Sequence, residues 1–266
     1  EWGMPFTIPD LLSPTLALVQ QAGIEVMRVY ATDFEVSRKA DRSPVTQADL
    51  LAEAIITSGL KELTPDIPII GEEATSDGAQ AVASDWFWLI DPVDGTREFL
   101  DRNGEFTVNV ALVHRGKPVL GVVGAPGISE TFFGVVSPQQ TGAWQLDALG
   151  RHQAIACSPP PAEGVRVLCS RNHGDTEALD RFLAPYQVAS RQAAGSSLKL
   201  CRIAQGAADI YPRFGPTMAW DTAAAHAVLS GAGGRVCDIQ HADLQYNPLS
   251  LKNPHFVALG LTQLKP

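Results

Sequence analysis

From Asp10 to Tyr30, apolar side chains recur at Leu12, Leu16, Val19, Ile24, Met27 and Tyr30, mostly three to five residues apart, which predicts an amphipathic helix. A polar stretch from Thr32 to Pro44 interrupts the pattern. Helical spacing resumes after Thr46, read as an N-cap with Asp49 three residues on, and runs to about Leu63. Pro65 and Pro68 close that helix ahead of a short strand at Ile69-Ile70. From Trp86 the pattern turns strand-like. Trp86 to Ile90, Phe106 to Val113, Pro118 to Val123 and Thr131 to Val136 are apolar runs parted by Gly and by charged turns such as Arg115-Gly116-Lys117. The first half is therefore expected to be an α+β layer with an antiparallel sheet.

Gln139 to Gly164 is rich in Gly, Pro and polar residues, and a seam near Leu149 is expected there. It divides the chain into an α+β domain over 1–149 and an α/β domain over 150–266. In the second part strands are predicted at Val165 to Cys169, Gln187 to Ala189, Asp209 to Tyr211, Arg235 to Ile239 and Phe256 to Leu259. Helices are predicted at Asp175 to Leu183, Gly195 to Gln205 and Ala219 to Leu229. This alternation gives an overall α/β class.

With 266 residues, 45% hydrophobic and 18% charged, the chain can bury a full core, and no apolar run reaches the length of a membrane span. The formal net charge of −9 argues against binding a nucleic-acid polymer, which needs a concentrated basic patch. Small anions stay possible through local cations or metals. Cys157, Cys169, Cys201 and Cys237 lack C-x-x-C spacing and read as reduced core residues. Glu1-Trp2-Gly3-Met4-Pro5 shows no basic segment followed by an apolar core, so a cytoplasmic location is expected, with peripheral association at the inner membrane left open. Oligomeric state is not legible.

The chemistry concentrates in Asp91-Pro92-Val93-Asp94-Gly95-Thr96. These residues follow the apolar run Trp86 to Ile90, so two carboxylates stand at the end of a rigid element. Pro92 is expected to end that strand, and Gly95-Thr96 to open a short helix over Thr96 to Asp101, whose first amides lack intrahelical partners. Amides at a helix start bind phosphate, and carboxylates beside a phosphate need divalent cations between them. Together they imply Mg²⁺ and a phosphorylated substrate. Glu72, in Gly71-Glu72-Glu73, again follows a strand; Asp221, in Trp220-Asp221-Thr222, stands where a loop gives way to a helix. Each has a plainer reading: Glu72 as an exposed turn residue, Asp221 as an N-cap, Asp49 as the partner of Thr46 in a capping box.

The order G-E-E, D-P-x-D-G-T, W-D-T-A, with Pro44 to Asp49 ahead of them, resembles the inositol monophosphatase superfamily of Mg²⁺-dependent, lithium-sensitive phosphatases along essentially the whole chain. Within it, Arg97-Glu98-Phe99, Arg102 to Asn109 and Tyr211 to Thr217 look most like the bacterial 3′(2′),5′-bisphosphate nucleotidases. The resemblance implies a layered α-β-α-β-α sugar-phosphatase-like fold. It implies that Glu72, Asp91, Asp94, Asp221 and the Val93 carbonyl bind two or three Mg²⁺ ions, with Asp91 bridging. Thr96, hydrogen-bonded to Asp49, would orient the attacking water, and Glu72 would take part in its activation. The amides of Gly95 and Thr96 would hold the scissile phosphate. Ser170 and His173 would take a second phosphate, Ser196, Ser197 and Lys199 would lie near the nucleoside, and Arg213 would contact the base. His173 reads equally as part of a solvated turn, and Lys199 as a surface helix residue.

The implied reaction removes the 3′-phosphate of adenosine 3′,5′-bisphosphate to give AMP and phosphate, with the sulfated analogue as a further substrate. An inositol monophosphatase is the alternative enzyme, and a nucleotide or metal sensor of the same fold the alternative outside catalysis. A haloacid-dehalogenase-type phosphatase fits poorly, because two residues and not one separate Asp91 from Asp94.

Overall fold

The computed structural model of the chain describes residues 5–32, 44–80, 82–171 and 175–266, and for residues 44–46 the backbone alone. A 3-10 turn at Ile8–Leu11 leads into α1 (Leu12–Tyr30), whose buried stripe is Thr15, Val19, Ala22, Gly23, Val26 and Val29. This stripe is rotated from the expected one: Ile24 is 56% exposed, while Ala22 and Gly23 face inward. Spacing counted on large residues misses small ones chosen for close approach. α2 (Pro44–Leu63) buries Ala48, Ala52, Ile56 and Leu60 completely, and a Cβ at Gly59 would stand 2.2 Å from the Leu18 side chain, so the helices mesh through small residues. α2 starts at Pro44, ahead of the expected Thr46 cap, because proline's fixed φ and missing N–H suit a first turn. The Thr46 side chain and residues 33–43 of the polar stretch lie outside the described part.

The first sheet has seven strands in chain order: β1 (Ile69–Gly71), β2 (Trp86–Asp94), β3 (Thr107–His114), β4 (Lys117–Ala125), β5 (Glu130–Val136), β6 (Thr141–Leu146) and β7 (His152–Ala154). Among the described residues only β1 and β2 of this sheet pair parallel; the rest are antiparallel. β2 is apolar at every position from Trp86 to Ile90 because both its faces are covered. Trp88 and Ile90 join Val19, Val26, Ala52 and Ile56 beneath α1 and α2, whereas Phe87 and Leu89 join Ala223, Ala224 and Val228 on the opposite face. β6 and β7 occupy the stretch read as a seam, so the first sheet extends past Leu149. β7 is the edge strand and is fully exposed, and β6 beside it buries only Ala143 and Leu146, too few to show alternation. The segment Glu72–Ser76 forms a short helix, α3, and Thr96–Leu100 another, α4.

The second sheet comprises β8 (Val165–Ser170), β9 (Val188–Ala194), β10 (Ile210–Arg213), β11 (Arg235–Asp238) and β12 (Phe256–Leu259), in the order β11-β12-β10-β8-β9. β8 runs parallel to β9 and β10, and β12 antiparallel to both neighbours. Between the sheets lie α6 (Leu198–Ala204) and α7 (Ala219–Gly231); α5 (Thr176–Leu183) packs Leu183 with Val165, Val167 and Ile210 on the outer face. The layers therefore read α-β-α-β-α, as expected. α7 belongs to the second part of the chain yet lies directly on the first sheet. A Cβ at Gly121 would stand 2.1 Å from the Ala224 carbonyl oxygen, and one at Gly134 2.7 Å from the Val228 Cα. That contact delivers Asp221, in the first turn of α7, to the end of β2. No helix among the described residues is long and apolar enough to cross a membrane.

Candidate active site

Pro92 does not end β2. The strand continues to Asp94, and its pairing shifts between Asp91↔Asn109 and Asp94↔Thr107, so that β2 carries one residue more than β3 there. A bulge leaves an unpaired position, which a proline tolerates because no ladder donor is required. Gly95 follows with φ 92°, open to glycine at little cost, and turns the chain into α4. The bulge and the turn bring Asp91 and Asp94 towards one point. Asp221 arrives there from α7, and one carboxylate oxygen from each of the three lies within 4.8 Å of the others. Asp221 is not the N-cap of α7, which is Met218, but sits three residues further in, its Oδ2 accepting the Met218 amide at 2.7 Å. It both caps and joins the cluster. Glu72, first residue of α3, is half-buried and shares a hydrogen bond with Asp91 when one of the two is protonated.

The electrostatics of this cluster ask for a cation. Burial pushes Asp94 up to about 8, with the Asp221 charge adding and Lys199 opposing. Burial and then the charges of Asp94, Glu72 and Asp221 hold the Asp91 carboxyl well above the usual range; burial likewise raises Glu72 and Asp221. Asp91 Oδ1 is buried with no hydrogen-bond partner. Crowded carboxylates without a compensating charge retain protons, and an all-oxygen set is suited to a hard divalent cation. The residues therefore fit a metal.

Every candidate residue except Asp49 and His173 lines one cavity of about 830 Å³. His173 lies outside the described residues. Asp49 is buried on α2, its carboxyl pushed up to about 8 by burial and then by the charges of Glu73, Glu72 and Glu53. Its Oδ1 has no partner, and among the described residues no hydrogen bond joins it to Thr96, contrary to the expected pair. Lys199 is no surface residue: it is 4% exposed, donates to the Ala194 carbonyl at 3.0 Å, and stands 5.1 Å from the Tyr211 ring centre. Burial, opposed by Asp94, brings its ammonium down to about 8. Arg213, at the end of β10, is buried with Nη2 donating to the Pro216 carbonyl at 3.2 Å. Ser170 ends β8 at the cavity wall. Ser196 holds a φ of 46° and donates to the Glu105 carbonyl at 2.6 Å. Ser197 is buried, its hydroxyl engaged with Thr107 and Asn109 and its amide with Asp94.

Several contributors went unread in the sequence. Glu53, one turn beyond Asp49 on α2, is buried and accepts the amides of Glu73 at 3.0 Å and Ala74 at 2.9 Å, which fixes the start of α3 and with it Glu72. Its visible signal was a second acid at helical spacing from Asp49 on a face that is otherwise apolar. Glu105 accepts the Gly195 amide at 2.9 Å and an Arg171 guanidinium N–H at 2.8 Å, and Arg97 and Glu98 line the cavity.

A carboxylate cluster at a strand end thus lines a cavity that also holds buried cations, and comparison with known proteins gives the family of the chain. The inositol monophosphatase family model matches residues 10–261, and the chain belongs to that family, whose phosphatases are metal-dependent. The 3′(2′),5′-bisphosphate nucleotidase CysQ of Salmonella typhimurium is 44% identical over 252 residues, covering 92% of this chain and 98% of that protein. CysQ of Buchnera aphidicola is 40% identical over 259 residues, covering 94% of each. Among solved structures, CysQ from Bacteroides thetaiotaomicron superposes with a TM-score of 0.80 at 32% identity, covering 94% of this chain and 97% of that one. An inositol monophosphatase from Zymomonas mobilis reaches 0.79 at 24% identity over 96% and 94% of the two chains, a likeness of fold alone.

Proposed function

We propose that the chain is a 3′(2′),5′-bisphosphate nucleotidase that removes the 3′-phosphate of adenosine 3′,5′-bisphosphate to give AMP and phosphate, and accepts the sulfated analogue. The observation that carries this reading is the charge layout of the cavity. Asp91, Asp94 and Asp221 meet at one place, while Lys199 and Arg213, both buried, supply fixed cations on the wall built by α6 and β10. A bisphosphate needs both features, one for the phosphate that leaves and one for the phosphate that stays. An inositol monophosphate needs only the first. The cavity of about 830 Å³ also falls in the range that encloses a nucleotide-sized ligand.

In this reading Glu72, Asp91, Asp94, Asp221 and the Val93 carbonyl would hold two or three Mg²⁺ ions. Bound there, the ions supply charge neutralisation for the phosphate and acidify the attacking water. The protein's own groups do the rest. Gly95 and Thr96 present the free amides of the α4 start to the phosphate oxygens. The Thr96 hydroxyl would orient the water, and Asp49, whose buried Oδ1 has no partner, would take the proton through Thr96 once the two are hydrogen-bonded. Ser170 and Lys199 take the second phosphate, the Ser196 turn shapes the nucleoside wall, and Arg213 faces the base. The division into a metal-bearing part and a substrate-selecting part, joined by α7, belongs to the same proposal. So does a cytoplasmic location, which the free thiols of Cys157, Cys169, Cys201 and Cys237 support.

The test is phosphate release with Mg²⁺ from adenosine 3′,5′-bisphosphate and from inositol 1-phosphate at equal concentration. The nucleotide is expected to be strongly preferred, Asp94→Asn to abolish release, and Lys199→Met to raise KM for the bisphosphate more than it lowers kcat. Preference for the inositol ester would overturn the assignment; binding without release in the unmodified chain would make it a sensor.

A further inference from the structure

The family resemblance implies that Ser197 lies near the nucleoside, yet its hydroxyl has no hydrogen left to offer a ligand. Ser197 Oγ donates to Asn109 Oδ1 at 2.7 Å, and Asn109 Nδ2 donates to Thr107 Oγ1 at 2.9 Å. Thr107 Oγ1 and Ser197 Oγ lie 2.9 Å apart. Because the Ser197 proton is committed to Asn109, the Thr107 hydroxyl must donate to Ser197. The three side chains then form a closed ring in which each gives one hydrogen bond and accepts one. All three are buried, at 0, 1 and 2% exposure for Thr107, Asn109 and Ser197. A fully satisfied buried network of this kind rigidifies whatever it is attached to.

The ring is attached to the acidic cluster. The Ser197 amide donates to Asp94 Oδ2 at 2.7 Å. Thr107 faces Asp94 and Asn109 faces Asp91 across the bulged β2–β3 pair, so the ring stands on the strand next to both aspartates. Two further bonds pin the same loop to Glu105, two residues ahead of that strand: Gly195 N to Glu105 Oε2 at 2.9 Å, and Ser196 Oγ to the Glu105 carbonyl at 2.6 Å. We propose that Thr107, Asn109 and Ser197 are positioning residues that fix one oxygen of Asp94 through the Ser197 amide and leave the other aimed at the cation. Ser197 is thus not a nucleoside contact. The inference rests on the reading of Asp94 as a metal ligand. Partners that orient a ligand from outside the coordination sphere typically change metal affinity or activity by about 10–100-fold when removed.

Thr107 and Asn109 do not line the cavity, so they touch neither substrate nor metal. The experiment titrates the substrate-free full chain with Mn²⁺ by calorimetry, alongside metal-free melting curves. Thr107→Val, which keeps the shape and deletes the hydroxyl, is expected to raise the Mn²⁺ Kd about 10-fold or more. Thr107→Ser, which restores the donor, is expected to bring it back towards the unmodified value. Should Thr107→Val not fold, Ser197→Ala, which opens the ring but keeps the amide, carries the same titration. An unchanged Kd in either variant overturns the proposal, even where the melting temperature falls; so does a Ser197→Ala variant whose nucleotide KM rises while its Mn²⁺ affinity stays put. Asp94→Asn separates the two levels. If it abolishes Mn²⁺ binding while the ring variants do nothing, the positioning role alone fails; if it too binds normally, the ligand assignment fails.

Discussion

Replacing Glu53 by alanine is expected to loosen the metal site from a distance. Its carboxylate accepts the amides of Glu73 and Ala74 at 3.0 and 2.9 Å, and a Cβ on Gly71 would stand only 2.3 Å from its Oε1, so the acid is wedged beneath the turn that presents Glu72. Hydrogen bonds to a charged acceptor contribute about 1.5–3 kcal/mol each, and an amide at a helix start has no intrahelical substitute. Ala74 is exposed and Glu73 half-buried, so water recovers part of that loss. A net destabilisation of about 3 kcal/mol follows, which corresponds to roughly 6–12 °C in Tm for a chain of this size. Glu53→Gln keeps one acceptor oxygen but turns an N–H₂ towards an N–H, so it should fall about midway. The assay pairs metal-free thermal melts with the Mg²⁺ concentration giving half-maximal phosphate release. Glu53→Ala should shift both, the second because Glu72 is no longer held. A Tm within about 2 °C of the unmodified chain would refute the capping argument. A lowered Tm with an unchanged Mg²⁺ requirement would refute the link to Glu72.

Two further outcomes test the fold that carries the site. Gly121→Ala should destabilise the chain by about 3 kcal/mol or more and weaken metal binding, since its Cβ would meet the Ala224 backbone at 2.1 Å and lift the helix bearing Asp221; equal melts would sink this. His226, buried with Nδ1 2.9 Å from the Tyr246 hydroxyl, has its pKa brought down to about 4 by burial, with Asp243 opposing. The unfolded chain then binds the extra proton first, so stability is whole above about 6.5 and falls by up to about 1.4 kcal/mol per pH unit towards 4. Urea titrations at pH 5 and 7 should show that loss reduced in His226→Gln, and an identical slope would reject the assignment.

How much of this was legible in the chain depends on what each element packs against. β2 to β5 and β8, β10, β11 and β12 announced themselves because buried strands need apolar residues at every or every second position, whereas β9, exposed along most of its length, was anticipated only at its start. β6 and β7 did not, for β6 buries only Ala143 and Leu146 and β7 buries nothing. In α1 the large residues marked the helix but misled on its face, since Ala22 and Gly23 are inward for closeness and not for hydrophobic area. Pro92 misled in the same way. It reads as a strand end only if every strand position must donate, and the bulge between Asp91 and Asp94 removes that demand.

Asp91 and Asp94 were legible as a motif at a strand end, whereas Glu72 and Asp221, each with a plainer reading alone, were legible only through the ordered set of motifs that resembles the family. The residues that hold them were not, because their partners are remote in sequence: Ser197 meets Thr107 and Asn109 across 90 and 88 residues, and Glu53 meets Glu73 across 20. A serine in a Gly-Ser-Ser turn at a cavity wall is indistinguishable, in sequence, from one that contacts ligand. Only the direction of its proton separates the two, and that direction is set by an asparagine on the other sheet. Selection on Asn109 and Thr107 is therefore expected to follow Asp94 rather than the substrate. Exchanging Arg213, which faces the base, should alter which phosphate ester is accepted and leave Mn²⁺ affinity in place, whereas opening the ring should do the reverse.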